Sequence, residues 1–240
     1  MIIRQKIIRL SNPETRDFLA DAYFPEDKDH LPLVIFVHGY KGYKDWGAWD
    51  LMAERFAEAG FFFVKFNFSH NGTTVDDPEN FGDLEAFGNN NYTKELSDLS
   101  FVIDHFSRLE KTDESKIALI GHSRGAGITI VKTCEDIRIH ALITLAGVDT
   151  LDRFPKGEAF ENWKKDGVYY VENGRTKQQM PHYLQFYQDF EAHFHRFDVE
   201  RCMEMAKAHV LIIHGTSDES VPVKNAEHLQ LLHPHSEKFL

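Results

Sequence analysis

The residues best suited to chemistry lie in the pentapeptide Gly121-His-Ser-Arg-Gly125, where two glycines flank Ser123 at a spacing of two residues. An apolar run over residues 117–120 precedes the pentapeptide, and a helix-compatible run over residues 126–134 follows it. A serine at such a strand-to-helix turn has a strained backbone and a hydroxyl exposed above the sheet edge. The glycines leave room where strand and helix nearly touch. This context predicts that Ser123 is a nucleophile.

Alternating strands and helices must hold this serine in place. Nearly unbroken apolar runs, typical of strands buried on both faces, recur along the chain, and apolar residues at helical spacing lie between them. The alternation predicts an α/β fold with a doubly wound, mostly parallel sheet, in which the first two strands form a hairpin. The predicted strands cover residues 2–9, 17–24, 33–38, 61–68, 117–120, 141–147, 209–214 and 237–240. The predicted helices cover residues 48–59, 92–106, 126–134 and 222–232.

Residues 150–205 interrupt this alternation after the sixth predicted strand. The segment is rich in Tyr and Phe, and it contains a predicted hairpin with an Asn173-Gly174 turn and a predicted helix over residues 189–206. We interpret it as a small cap inserted into a single domain of residues 1–240. Its aromatic side chains favour a partly apolar substrate, although packing inside the cap explains them at least as well.

Chemistry is expected at the exits of the predicted strands, because reactive groups gather at the carboxyl ends of parallel strands. Asp218 follows the strand at 209–214 and precedes the helix that begins near Pro222. An acid at this position would orient a catalytic imidazole and stabilise it as imidazolium. Asp149, after the strand at 141–147, is the less favoured alternative, because a surface or capping role explains it more simply.

An oxyanion formed by attack on a carbonyl group needs two preorganised N–H donors. We expect one from the backbone of Arg124, the residue after the nucleophile, and the other from Tyr40 in the loop after the third predicted strand. His38 is interpreted as a hydrogen-bonding residue that shapes this loop. The side chains of His122 and Arg124 are expected to point away from Ser123, because adjacent side chains diverge.

Three motifs, in this order, resemble the α/β-hydrolase superfamily: His38-Gly-Tyr40, Gly121-His-Ser-Arg-Gly125 and His214-Gly-Thr-Ser-Asp-Glu-Ser-Val-Pro222. Among its branches the chain is most similar to the serine esterases and peptidase-like hydrolases near dienelactone hydrolase, and the resemblance covers nearly the whole chain. Dienelactone hydrolase itself has a cysteine nucleophile, so the serine in this chain favours ester chemistry of the serine type.

The resemblance implies a fold of the α/β-hydrolase type and a site that uses no cofactor and no metal. It implies Ser123 as the nucleophile, Asp218 as the acid, and the backbone N–H groups of Tyr40 and Arg124 as the oxyanion hole. The chain contains no metal-ligand or dinucleotide-binding motif that would indicate another chemistry.

The general base is not found beyond the predicted acid. His228 falls within a predicted helix, and His233 and His235 precede the last predicted strand, 237–240. A parallel strand there would place His235 on the order of 15 Å below the active edge of the sheet, at about 3.3 Å per residue. We therefore expect the catalytic His after Leu240, in a C-terminal end that this sequence lacks.

Composition limits the expected partners. The formal net charge of −11 argues against nucleic acid and anionic membrane surfaces, and leaves a small-molecule ester as the expected partner. Cys134 and Cys202 fit no metal or redox spacing, and reduced thiols suit a cytoplasmic location. The first ten residues do not make a signal peptide. A homodimer is left open.

These observations predict a serine hydrolase that cleaves carboxylic esters through an acyl-enzyme. Two alternatives stay open. One is a serine peptidase that acts on short peptides, and the other is a non-catalytic binding protein built on the same fold. The missing histidine is the only feature that favours the binding protein.

Overall fold

The computed structural model describes residues 1–240, in which ten strands and eight helices follow one another. The strands are β1 (Ile2–Ser11), β2 (Asp17–Pro25), β3 (Leu31–Val37), β4 (Phe62–Phe66), β5 (Thr112–His122), β6 (Ile139–Leu145), β7 (Val168–Glu172), β8 (Gln179–Tyr183), β9 (His209–Ile213) and β10 (Glu237–Phe239). The helices are α1 (Trp49–Glu58), α2 (Leu84–Gly88), α3 (Tyr92–Ser107), α4 (Arg124–Glu135), α5 (Glu158–Asp166), α6 (Gln185–Ala192), α7 (Val199–Met205) and α8 (Lys224–Leu232).

Eight strands form one sheet in the order β1-β2-β4-β3-β5-β6-β9-β10. β2 pairs antiparallel with β1 and with β4, and every other neighbouring pair is parallel. The predicted hairpin and the mostly parallel α/β sheet are therefore confirmed. The parallel strands bring the exits of β3, β5, β6 and β9 to one edge, where the predicted chemistry lies.

The alternation of side chains along β3 shows how the sheet is covered on both faces. Val34 and Phe36 pack with α1 residues such as Ala53 on one face. Leu33, Ile35 and Val37 belong to the larger core on the other face, with the apolar face of α3. A strand buried on both faces needs apolar residues at successive positions, which explains the unbroken run in the sequence.

The cap lies between β6 and β9 and contains α5, the antiparallel pair of β7 and β8, α6 and α7. Its predicted hairpin is present, but its connection is longer than the Asn173-Gly174 turn. The Asn173 side chain accepts the N–H of Arg175 at 3.1 Å and so builds a wider turn. The predicted helix over 189–206 is broken in two, because Asp198 caps a new helix by accepting the N–H of Arg201 at 3.0 Å.

None of the eight helices combines the length and the apolar character that crossing a bilayer requires.

Five charged side chains are packed together beneath the loop that follows β3. Nζ of Lys44, in this loop, lies 2.7 Å from an oxygen of Asp21 on β2 and 2.6 Å from one of Asp45. Nζ of Lys65 on β4 contacts Asp21, Asp45 and Asp50, and donates to the main-chain carbonyl of Lys44 at 3.1 Å. The cluster therefore ties the loop to two strands of the sheet.

Three of the five charged side chains in this cluster are buried. The side chains of Asp21, Lys44 and Lys65 are at most 2% exposed. Burial alone would lower the pKa of Lys65, but hydrogen bonds to Asp45 and Asp50 outweigh it, and the net shift of the pKa is upward. Lys65 therefore stays charged, and its loss would leave buried carboxylates without a partner.

We expect Lys65→Met to lower the free energy of unfolding by about 3–5 kcal/mol, the usual cost of removing one partner from a buried ion pair. Urea unfolding at pH 7 measures the change. Lys177→Met is the matched control, because its side chain is 71% exposed beside Glu172 and should contribute less than about 1 kcal/mol. Equal unfolding free energies for the two variants would contradict a structural role for the cluster.

Candidate active site

β5 ends at His122 and α4 begins at Arg124, so Ser123 alone makes the turn between them. Its φ of +54° and ψ of −121° are a strained combination for a residue that has a Cβ. Its N–H donates to the carbonyl of Leu145 on β6 at 2.9 Å, which fixes the turn to the sheet. Ser123 lines a cavity, and its hydroxyl makes no hydrogen bond within the protein.

The two glycines of the pentapeptide lie where backbones meet. A Cβ on Gly121 would lie 2.3 Å from Oγ1 of Thr129, and a Cβ on Gly125 would lie 2.5 Å from the carbonyl oxygens of Val37 and His38. Both distances are shorter than real Cβ contacts. The first turn of α4 therefore packs directly on the carboxyl ends of β5 and β3.

The loop after β3 passes beside the serine, since a Cβ on Gly39 would lie 2.9 Å from Cβ of Ser123. The backbone N–H of Tyr40 donates to no group in the protein. The N–H of Arg124 is the first of its helix and has no partner within it. The two donors predicted for the oxyanion hole are thus unpaired backbone groups of residues that line the cavity.

His38 holds the shape of this loop with both ring nitrogens. The N–H of Phe68 donates to Nε2 at 3.2 Å, so the proton is on Nδ1, which lies 2.9 Å from the carbonyl of Gly39. This pattern requires a neutral ring, and burial lowers the pKa of His38 to about 4. Because both nitrogens are engaged in these bonds, neither is available to take a proton from the serine.

Asp218 lies in the loop between β9 and α8 and is fixed by one of its two oxygens. Oδ1 accepts the N–H groups of Ser220 at 2.8 Å and Val221 at 2.9 Å. Oδ2 makes no hydrogen bond and lies 4.0 Å from Nε2 of His214, which is 2.6 Å from the carbonyl of Val221. The carboxylate is therefore positioned by the backbone, with one oxygen free to accept a hydrogen bond.

A cavity of about 610 Å³ brings together the four residues named from the sequence: Ser123, Asp218, Tyr40 and Arg124. The strand exits form its base, and the cap closes it with Phe154, Tyr169, His182 and Phe186. His122 lines it too, and the guanidinium carbon of Arg124 lies 4.8 Å from the ring centroid of Tyr40. The expectation that these two side chains point away from Ser123 stays a prediction, while both residues border the same cavity, His122 beside Trp49 and Arg124 beside Tyr40.

The histidines near the C-terminus lie outside this cavity. Nδ1 of His228 lies 2.9 Å from Oδ2 of Asp149, so the alternative acid is engaged by another partner. His233 ends α8, and His235 precedes β10, at the amino end of that parallel strand. The position of the catalytic His after Leu240 stays a prediction.

Two other histidines line the cavity. The ring centroid of His122 lies 5.2 Å from that of Trp49, and burial lowers the pKa of this ring. Nε2 of His182 in the cap lies 2.9 Å from the hydroxyl oxygen of Tyr40. Burial lowers the pKa of His182 to about 3, so it too is neutral at pH 7.

Glu95 is a site residue that the sequence analysis missed. It is 1% exposed on α3, and its Oε1 accepts hydrogen bonds from the guanidinium of Arg124 and from Nδ2 of Asn90 at 2.7 Å. The signal was present in the sequence, because Glu95 falls three residues after Tyr92 on the apolar face of the helix. An acid on such a face requires a buried partner.

The three carboxylates of Asp21, Asp45 and Asp50 are the one group of potential metal ligands that lie close together. The ammonium groups of Lys44 and Lys65 lie among them and neutralise their charge. This cluster is accounted for as an ion-pair network.

The order and direction of the strands and the turn at Ser123 are those of the α/β-hydrolase fold. The family model described as "Prolyl oligopeptidase family" matches residues 53–232. The chain therefore belongs to the prolyl oligopeptidase family. The uncharacterized protein YcjY of Escherichia coli K12 is 31% identical over 169 residues, which are 68% of this chain and 52% of YcjY. The chain thus spans about half the length of this relative.

Solved structures share the fold over nearly the whole chain. Est1E from Butyrivibrio proteoclasticus, solved with ferulic acid, has a TM-score of 0.72 at 17% identity and covers 97% of this chain and 88% of its own. DcsB, solved with a substrate analogue, has a TM-score of 0.76 at 19% identity, and the match covers 99% of this chain and 89% of DcsB. The resemblance to α/β hydrolases stated from the motifs is confirmed.

The neutral buried histidines make stability depend on pH. The unfolded chain binds a proton at His38 below its ordinary pKa of 6.5, whereas the folded chain does so only near pH 4. The stability that His38 contributes is therefore complete above pH 6.5 and is lost as the pH falls toward 4. We expect the fall in unfolding free energy from pH 7 to pH 5 to be about 2 kcal/mol smaller in His38→Asn than in the unchanged protein.

Urea unfolding at the two pH values measures this difference. His140→Asn is the control, because that side chain is exposed and should leave the pH dependence unchanged. A His38→Asn variant with the full pH dependence of the unchanged protein would show that His38 is not held neutral.

The packing of α4 on β3 gives a second prediction. Gly125→Ala puts a methyl group 2.5 Å from two carbonyl oxygens, which cannot yield as a flexible side chain would. We expect a loss of about 1–3 kcal/mol in stability and a much slower reaction of Ser123 with a fluorophosphonate probe. Thermal unfolding and probe labelling measure the two effects. Gly174→Ala, whose Cβ would meet nothing within 4 Å, should leave both unchanged. Equal behaviour of the two variants would refute the close contact.

Proposed function

We propose that this protein is a serine hydrolase that cleaves carboxylic esters through an acyl-enzyme. The observation that carries the proposal is one cavity that contains the unbonded Ser123 hydroxyl and the Asp218 carboxylate with a free oxygen. Unpaired N–H groups at Tyr40 and Arg124 border the same cavity. Family membership and the esterases among the solved structures support hydrolysis.

In the proposed first step, Oγ of Ser123 attacks the ester carbonyl carbon while an imidazole takes the hydroxyl proton. The carbonyl oxygen becomes an oxyanion and accepts the N–H groups of Tyr40 and Arg124. The C–O bond to the alcohol then breaks, and the alcohol takes the proton from the imidazolium. Water attacks the acyl-enzyme by the same route, which releases the carboxylic acid and regenerates Ser123.

Asp218 orients the imidazole in this mechanism. Two backbone N–H groups occupy Oδ1, so Oδ2 is the oxygen that accepts the ring N–H. A carboxylate fixed in this way selects one tautomer of the imidazole and stabilises the imidazolium that forms when the ring takes the serine proton.

We infer that the imidazole comes from chain that follows Leu240. β10 runs parallel to β9, and the carbonyl of Phe239 accepts the N–H of His214 at 3.0 Å. Because His214 follows β9 at the carboxyl edge, a chain continuing from Leu240 would emerge beside the Asp218 loop. No histidine between Asp218 and Leu240 lines the cavity, which supports this placement.

A serine peptidase acting on short peptides is the second candidate. The observation that favours it is membership of the prolyl oligopeptidase family. The same groups serve amide cleavage, with an amine in place of the alcohol as leaving group. The ester proposal is supported by the names of two structural neighbours, the esterase domain of a Rhodothermus marinus protein and the acetyl xylan esterase from Paenibacillus sp. R4.

We expect a fluorophosphonate probe to label the protein produced from its complete reading frame, and to label Ser123 alone. Ser123→Ala should abolish labelling and Asp218→Asn should slow it by at least about 100-fold, because the imidazole loses its orienting partner. Ser220→Ala is the control, since it removes another serine that lines the cavity. Mass spectrometry locates the label. A folded protein that does not react would favour the non-catalytic binding protein.

Two substrate series separate the esterase from the peptidase. We expect hydrolysis of 4-nitrophenyl butyrate with a kcat/KM at least about 100-fold above that of amino-acid 4-nitroanilides, since an alcohol leaves without the full protonation that an amine needs. Residues 1–240 alone should hydrolyse the ester slowly and be accelerated by added imidazole. Full activity of residues 1–240 without imidazole would show that the base lies within them, and faster cleavage of the anilides would favour the peptidase.

A further inference from the structure

The cavity has a charge opposite to that of the protein. Lys41, Arg124 and Arg153 line it, and Asp218 is its one carboxylate, whereas the chain as a whole has a formal net charge of −11. One oxygen of Asp218 is already bound to two backbone N–H groups. A cavity with this excess of cations attracts an anion, because field lines concentrate in a cleft with low-dielectric walls.

Arg124 is rigid and has donors to spare. Its side chain is 14% exposed, and its guanidinium donates one hydrogen bond, to Glu95. The guanidinium carbon lies 4.8 Å from the ring centroid of Tyr40, 5.9 Å from that of Tyr92 and 5.7 Å from that of Phe186. A guanidinium has five N–H donors, so most of them make no hydrogen bond within the protein and lie between aromatic side chains.

The other two cations have no carboxylate partner. Nζ of Lys41 lies 3.2 Å from the main-chain carbonyl of Glu172 and 5.0 Å from the ring centroid of Tyr40. Arg153 is exposed at the rim and makes no ion pair. Neither charge is paired with an acid of the protein, so both are free to meet a ligand carboxylate.

The sheet order tells which part of a substrate meets Arg124. Tyr40 follows β3 and Asp218 follows β9, on opposite sides of β5 and its serine. The leaving alcohol must lie near the imidazole that Asp218 orients, so the acyl group extends toward Tyr40. The guanidinium of Arg124 packs on the ring of Tyr40 and therefore lies on the acyl side.

We propose that the substrate is an ester whose acyl chain ends in a carboxylate, which Arg124 binds and which Lys41 and Arg153 assist; this rests on the proposed function. Hydrolysis of such a monoester with one water gives an alcohol and a dicarboxylate. Arg124 is thus a specificity-determining residue through its side chain and an oxyanion donor through its backbone. Glu95 is the positioning residue that fixes the guanidinium.

Binding to Ser123→Ala protein tests the proposal without turnover. Adipate and 6-methylheptanoate share one carboxylate and a chain of equal length, and differ in whether the far end is charged. Isothermal titration calorimetry should give a dissociation constant about tenfold lower for adipate. Arg124→Met, made in the Ser123→Ala protein, should reduce this preference for adipate to within about twofold. Arg153→Met, made separately in the same protein at an exposed residue, should reduce the preference to about threefold. Arg108→Met, which removes one exposed cation at the end of α3, should leave it unchanged.

Equal affinity of the two ligands, or a tenfold preference that survives both cavity variants, would overturn the proposal. If Arg124→Met does not fold, which circular dichroism shows, the Arg153→Met result decides alone. Fluorophosphonate labelling distinguishes failure of this proposal from failure of the enzyme assignment. Labelling without an adipate preference rejects only the anionic substrate, and an adipate preference in a protein that does not label rejects only the hydrolase.

Discussion

The contact between the backbones of α4 and β3 is the constraint on which the site depends. It exists because Gly125 has no side chain, and it brings the first turn of the helix against the carbonyl oxygens at the end of the strand. Ser123 is forced into a positive φ by the same contact, since the chain must reverse within one residue. The strain is located at the proposed nucleophile, and the sheet around it supplies the rigidity that maintains it.

Ion pairs restrain the loop after β3, in addition to the apolar packing of Tyr40 and Tyr43. Lys44 belongs to this loop, and its ammonium meets the carboxylate of Asp21 inside the protein. Buried ion pairs add little net stability over apolar packing, but they are specific about geometry, because each charge tolerates few positions. Such a network suits a loop that bears the proposed oxyanion donor Tyr40, and His38 adds two further bonds to the same segment.

The sequence allowed prediction of the sheet and of the residues at strand exits because both follow local rules. A glycine spacing or an apolar run can be recognised within ten residues, and so Ser123 and Asp218 were named. The contacts of Glu95 with Arg124 and of His182 with Tyr40 join residues far apart in the chain, and no local pattern contains them. The break between α6 and α7 in the cap was not predicted, because the Asp198 side chain rather than the hydrophobic period decides where α7 begins.

The hydrogen bond between the Tyr40 hydroxyl and Nε2 of His182 joins the cap to the loop that bears the proposed oxyanion donor. Tyr40 thus contacts the cap through its side chain, while its backbone N–H is the proposed oxyanion donor. To the extent that this hydrogen bond couples the two segments, a ligand contact that shifts the cap hairpin also shifts that backbone, and the coupling is reciprocal. Recognition of the acyl group and alignment of the oxyanion hole then form a single equilibrium. Substrate discrimination would appear in kcat as well as in KM.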